Sequence, residues 1–244
     1  MSIAKIISAI SAITGLLLLF PAPCGATTAQ EVISKVMQAY GGQEAVEQVH
    51  SVCATGRIVA FAFNDAQGSY SYCVTTDRKL RVDIDYTEFA EHRVLNGPNA
   101  YVQTGGNSTQ SLTSGPNYLS VVYQYEQLNL PRTLLENRKK IRYAGREQLA
   151  GEAVDVLDLD TGSGLTVKIF VDDASGHIVK TSGIFQFSGS QMILSAEFSD
   201  FRSVGQTIFP FRFVNFASGE KIAETSIQSY ELNPNLSAET FQSP

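Results

Sequence analysis

Leu80-Arg81-Val82-Asp83-Ile84-Asp85-Tyr86 alternates apolar and charged residues without a break. Side chains on a strand point to opposite faces in turn, so one face of this strand is buried and the other is wet. That is the mark of an antiparallel sheet covered on one side only. Upstream, Ser51–Phe63 and Ser69–Thr76 read as two strands around a turn at Asn64-Asp65-Ala66-Gln67-Gly68. Downstream, Arg93–Leu95 and Ala100–Gln103 flank Asn96-Gly97-Pro98-Asn99, a second turn. Residues 104–116 are polar and rich in Gly, Ser and Thr, and read as a loop.

Helical patterns lie on either side of this block. Thr28 to Tyr40 places Ala29, Val32, Ile33, Val36, Met37 and Tyr40 on one face. Thr28 and Glu31 have capping-box spacing, and Gly41-Gly42 stops the helix. A shorter helix follows, with Ala45, Val46 and Val49 on one side. Tyr118–Leu128 and Arg132–Lys139 form a helical insert, with Pro131 at the start of the second helix. After it come strands at Ile141–Ala144, Glu152–Leu159, Leu165–Val171, Ile178–Phe187, Met192–Phe201, Phe209–Phe216 and Lys221–Leu232. Short turn signals separate them, including Ser188–Ser190. The expected fold is α+β: one strongly curved antiparallel sheet of about ten strands, an incomplete β-barrel, with helices covering its concave face.

The first 26 residues stand apart. Lys5 precedes an apolar run, Ile6 to Phe20, which is too short to span a bilayer; Pro21, Pro23 and Gly25 then break it. Residues 1–26 read as a secretory signal peptide and 27–244 as a single domain. An uncleaved anchor is the other reading of the same run. Cys24 suggests a lipoprotein signal, but Pro23 and Pro21 occupy the positions where that signal wants a small and an aliphatic residue. Secretion across the inner membrane into the periplasm follows, with no transmembrane helix in the mature form. Cleavage removes Lys5 and moves the net charge from −6 to −7. An acidic chain of this kind gives no general grip on nucleic acid. It leaves Cys53 and Cys73 in an oxidising compartment. With the turn at 64–68, Cys73 falls opposite Val59, so two buried, unreactive thiols are expected.

No catalytic constellation emerges. His50, His92 and His177 are scattered, without the clustering a metal site needs. Asp158-Leu159-Asp160-Thr161-Gly162 hints at a calcium loop, but the twelfth position is Ile169 where a Glu is wanted. Asp83 and Asp85 belong to the wet face. No metal, cofactor or enzymatic activity is therefore expected. Two features stand out. Aromatics gather at Phe61, Phe63, Tyr70, Tyr72, Tyr123, Phe211 and Phe213, lining either a packed core or an apolar ligand cavity. Cations gather at Arg132, Arg138, Lys139, Lys140, Arg142 and Arg146, either as an ordinary helix terminus or, with Arg138, Lys139, Lys140 and Arg142 as the candidates, as a patch for an acidic partner or headgroup.

The order of motifs adds a resemblance. The stretch from Ala29 to Ser51 runs straight into a strand. Tyr143-x-Gly145-x-Glu147-x-x-x-Gly151 and Val171-Asp172-Asp173-Ala174-Ser175-Gly176 follow it. Phe198-Ser199-Asp200-Phe201, Phe209-Pro210-Phe211-Arg212-Phe213 and the closing Asn235-Leu236 to Phe241 complete the set. In that order they resemble the secreted bacterial proteins of the outer-membrane lipoprotein-sorting group, LolA/LolB-like. The resemblance implies an incomplete barrel plugged by helices. It also implies a carrier that holds lipid or lipoprotein acyl chains, or another apolar ligand, in its concavity. Other relatives sense envelope components, so the alternative is an envelope sensor or protein-interaction module with no small ligand. In the carrier reading, residues 104–139 act as a lid and the basic cluster meets a headgroup.

Overall fold

A computed structural model describes residues 27–187 and 190–244. The expected signal peptide, Cys24, and Ser188 and Gly189 of the turn at Ser188–Ser190 lie outside the described residues. The chain opens with α1 (Ala29–Ala39) and α2 (Gln43–Glu47). Six strands follow: β1 (Ser51–Ala60), β2 (Ala66–Thr75), β3 (Lys79–Tyr86), β4 (Ala90–Asn96), β5 (Asn99–Thr104) and β6 (Gln110–Leu112). The helices α3 (Gly115–Leu128) and α4 (Arg132–Glu136) form the insert. Then come β7 (Ile141–Leu149), β8 (Glu152–Asp160), β9 (Leu165–Asp172), β10 (Ile178–Phe187), β11 (Ser190–Val204), β12 (Thr207–Ala217) and β13 (Glu220–Leu232).

These make one antiparallel sheet of 13 strands, ordered β6-β5-β4-β3-β2-β1-β13-β12-β11-β10-β9-β8-β7. It is open and curved, with helices covering its concave face, as the alternating pattern predicts. Nearly every neighbour in the sheet is a hairpin partner. The exception is β1 with β13, which joins the two ends of the chain at the centre of the sheet. The insert must therefore run from one edge to the other. Flat, the sheet would be about 58 Å wide at ~4.8 Å per strand gap. The insert's helices supply about 28 Å at ~1.5 Å per residue. They bridge the edges because the sheet curls.

Three details differ from the sequence reading. The strand count is 13, because residues 104–116 hold β6 and the start of α3, and the second insert helix ends at Glu136. The first turn is also displaced. Phe61–Phe63 form a 3-10 turn, and Asn64 and Asp65 take positive φ (53° and 59°), so the strand resumes at Ala66. Asn and Asp tolerate this left-handed region better than other non-glycine residues. Gly68 serves the strand: a Cβ there would meet the Asp85 carbonyl oxygen at 2.7 Å. Pairing Ala60 with Ala66 sets Cys53 directly opposite Cys73, and the two form a disulfide with Cα atoms 4.1 Å apart. The expected free, buried thiols are replaced by a half-buried cross-strand bond on the convex face.

The helix α1 begins with the capping box: the Glu31 amide donates to Thr28 Oγ1 at 3.2 Å, and the Thr28 amide donates to Glu31 Oε2 at 2.8 Å. Its Val32, Ile33, Val36 and Met37 are buried in the main core. An ionic latch holds its other side. Lys35 Nζ lies 3.2 Å from Asp155 Oδ2 and 2.5 Å from Asp173 Oδ1, while Arg146 reaches Asp155 at 3.3 Å and Asp173 at 3.0 Å. The Asp155 side chain is fully buried and also accepts from Tyr143 at 3.0 Å. Burial alone would raise its carboxyl; the hydrogen bonds from Arg146, Lys35 and Tyr143 outweigh burial and hold it below the usual range.

Candidate functional site

Pairing fixes which residues line the concave side. On β2 and β3 the inward residues are Tyr70, Tyr72, Val82 and Ile84, and the register carries this phase onto β4. Val82 faces Arg93, and Ile84 faces Glu91. On β5 their neighbours are Val102 and Thr104. An ion pair thus occupies inward positions where the adjacent strand is apolar. Arg93 Nη2 donates to Glu91 Oε2 at 2.7 Å, with the Glu91 side chain 8% exposed and that of Arg93 33%.

The helix α3 roofs this face. Its fit depends on Gly183 of β10, where a Cβ would come within 2.6 Å of the Tyr123 ring. The Tyr123 hydroxyl meets Thr181 Oγ1 at 2.9 Å, a buried bond that pins the middle of the helix. Burial pushes the Tyr123 hydroxyl well above its ordinary value, so it stays neutral. Asn117, Ser120, Gln124 and Gln127 recur at i, i+3, i+7 and i+10, and all four face the space beneath. The polar stripe of α3 therefore looks inward, against the usual arrangement of a helix laid on a sheet.

Between roof and sheet lies a cavity of about 520 Å³. That is within the roughly 300–1,000 Å³ range of small-molecule sites. Small side chains keep it open. Ala60 of β1 pairs with Ala223 of β13 at the sheet's centre, and both line the floor. Ile58, Leu194, Phe213, Phe216 and Ile222 complete an apolar side. The opposite side holds Glu91, Arg93, Thr104 and Gln110. Tyr70 and Tyr86 stand beside the ion pair. Burial, then Glu91, raises the Tyr86 hydroxyl to about 12, and burial pushes Tyr70 higher still, with the Gln124 carboxamide beside its hydroxyl.

The residues of the 61–63 turn are the exposed large hydrophobics among the described residues, Phe61 and Phe63. Phe63 lines the cavity and packs edge-on against Tyr86 and Phe89, at 6.1 and 5.3 Å between ring centres. Phe61 lies outside it, with Lys221 Nζ 4.4 Å from its ring centre.

Of the seven aromatic candidates, Phe63, Tyr70, Tyr123 and Phe213 line the cavity. Tyr72 is buried beside a small neighbouring void, and Phe211 packs under Arg202 and against Tyr230. Arg138, Lys139, Lys140 and Arg142 lie in and after the turn into β7 and none lines the cavity. Arg138 borders a groove of about 200 Å³ between α1 and α4, with Ile33, Met37 and Leu135. None of the four pairs with an acid among the described residues, whereas Arg132 and Arg146 on either side do. Sequence reasoning missed Glu91, Arg93, the alanine floor and the inward stripe of α3. The phase of Arg93 with Leu95, two residues on, was the available signal for the ion pair.

Among the described residues no cluster of three or more His, Cys, Asp or Glu is placed to hold a metal, and no helix is long and apolar enough to cross a membrane. No protein-family model matches the chain, and no curated protein does. Solved structures do. A LolA superfamily protein from Nitrosomonas europaea is 16% identical with a TM-score of 0.56, over 89% of this chain and 98% of that one. A DUF1329 family protein from Desulfovibrio piger is 9% identical with a TM-score of 0.57, over 88% and 97%. A domain provisionally named for outer membrane lipoprotein sorting, from Vibrio parahaemolyticus, is 12% identical with a TM-score of 0.55, over 87% and 97%. At these identities the likeness is one of fold. The open 13-stranded sheet, its central pairing of first and last strands, and these three matches together give the chain a LolA-like fold.

Proposed function

We propose that the protein is a secreted, periplasmic carrier or binding protein that shelters the apolar chain of a lipid or lipidated protein in the concave cavity. The observation that carries this reading is the space left open between α3 and the alanine floor. Each methylene taken from water into it contributes about 0.8 kcal/mol. Eight of them contribute about 6 kcal/mol, of the order of the cost of immobilising a ligand, so the remaining affinity comes from longer chain and from polar contacts. The aromatic turn at the cavity's edge suits the passage of a chain.

Native mass spectrometry of protein purified from its own envelope tests the proposal. Lipid-mass adducts are expected, and they should be lost when Ala223→Trp fills the floor. A wild-type protein carrying no adduct, and binding no added amphiphile, would overturn it. The same spectra give the mature N-terminus, expected near residue 27.

The cations at Arg138, Lys139, Lys140 and Arg142, which pair with no acid among the described residues, favour a second reading, docking to an acidic envelope partner. Reversing Arg138, Lys139 and Lys140 to Glu should then abolish capture of that partner while leaving ligand content unchanged.

A further inference from the structure

We infer that the polar head of the ligand also enters the cavity, and that this head is uncharged and hydroxyl-bearing. The inference rests on the cavity being a ligand site, and concerns what that site selects.

The lining divides into two sides. The floor is mostly aliphatic and aromatic, as an alkyl chain requires. The roof and the far wall carry five carboxamides, Asn107, Gln110, Asn117, Gln124 and Gln127, and a sixth, Asn215, sits at the floor beside Ala223. A site for alkyl chain alone would leave these groups facing methylenes, with their hydrogen-bonding capacity unused, which costs free energy. Amides both donate and accept, and a hydroxyl does the same. Hydroxyls therefore match this side group for group.

The charge balance excludes a charged head. Apart from the neutral tyrosines, the ionisable side chains lining the cavity are Glu91 and Arg93. They neutralise each other at 2.7 Å. An anionic head drawn to Arg93 would stand beside the Glu91 carboxylate, which is almost wholly buried and has no other cation among its side-chain partners in the described residues. Like charges at such range oppose each other. A cationic head meets the same obstacle from Arg93. The pair supplies local donors and acceptors with no net charge. It is also costly as pure structure, since apolar residues of similar volume at these inward positions would serve stability as well or better. Its place next to the carboxamides, on an inward strand segment whose neighbour β3 is apolar, is accounted for by head recognition.

The test compares four twelve-carbon amphiphiles by isothermal titration below their critical micelle concentrations. They are monolaurin (uncharged, two hydroxyls), laurate, dodecyltrimethylammonium and dodecylphosphocholine. Monolaurin is expected to bind at least about tenfold more tightly than each of the others. In Glu91→Gln, which keeps shape and removes the countercharge, the ratio of laurate to monolaurin affinity should move at least about fivefold toward laurate. Arg93→Gln should move the ammonium ratio the same way, and stands in if the first variant does not fold. A charged or zwitterionic probe equalling monolaurin on the wild type overturns the inference, as does a smaller shift in the folded variant. Equal binding of all four removes the head selection and leaves the carrier reading standing. Binding of none removes both.

Discussion

Replacing both Cys53 and Cys73 with Ala is expected to cost about 3 kcal/mol of stability. The bond joins residues 20 apart, and closing a loop of that length removes about 11 cal/mol/K from the unfolded chain, close to 3 kcal/mol at 25 °C. For a domain of this size the loss corresponds to a fall in Tm of about 7 °C. Both positions are half-buried on the convex face, so the Ala side chains open no cavity in the core, and the cost comes from the unfolded state. Equilibrium unfolding in urea measures it, with the mature protein compared oxidised, reduced and as the double variant. Reduced wild type and double variant should share one midpoint, and the oxidised protein should show no free thiol when denatured. Two titratable thiols in the denatured, oxidised protein would refute the pairing. A loss below about 1 kcal/mol with an unchanged m-value would refute the loop-closure reasoning, and would mean that the β1–β2 hairpin stays closed in the unfolded chain.

Asp155→Asn should destabilise by about 1–3 kcal/mol, kept modest because Lys35 and Arg146 remain partly in water, and denaturant melts at pH 7 would show it. The Asp155 carboxyl is held below its unfolded value, so its contribution is present above about pH 4 and fades as pH falls through the depressed folded value; the wild-type stability curve should drop more steeply there than that of the variant. Gly183→Ala drives a Cβ into the Tyr123 ring and should cost about 1–3 kcal/mol, with faster hydrogen exchange along α3 than elsewhere. Tyr123→Phe leaves the Thr181 hydroxyl without its buried partner and should cost about 1 kcal/mol in the same melts.

Much of the fold could be read from the chain because its signals are local and mutually consistent. The alternation from Leu80 to Tyr86 has one solution, and the capping box at Thr28 forms as spaced. The first turn failed because two glycine-like signals competed. Gly68 looked like a turn residue, yet Asn64 and Asp65 took the left-handed positions, and the glycine was needed where β2 crosses close to Asp85. A turn centre moved by three residues moves the cross-strand partner by six, and that separated the expected free thiols from the observed disulfide. The ion pair was hidden for a different reason. Glu91-His92-Arg93 looks like a wet edge, and only the pairing of Arg93 with Val82 and Val102 reveals which way it points. Inward phase on a short strand is a property of its neighbours.

That dependence explains why one half of the concavity is filled and the other is open. On β8 and β9 the inward residues Leu157, Leu159, Val167 and Ile169 are bulky, fully buried aliphatics, and α3 settles on this side through Tyr123 and the gap left by Gly183. Across the central β1–β13 seam the inward positions shrink to Ala60 and Ala223 and then become tyrosines and the Glu91–Arg93 pair. Two alanines enlarged to leucine would fill part of the space at a gain in buried apolar area of roughly 2 kcal/mol each. Stability alone would favour that change. The seam therefore trades core packing for volume, and it does so where the polar face of α3 turns inward, so in the carrier reading the open half takes the ligand and the filled half holds the roof in place.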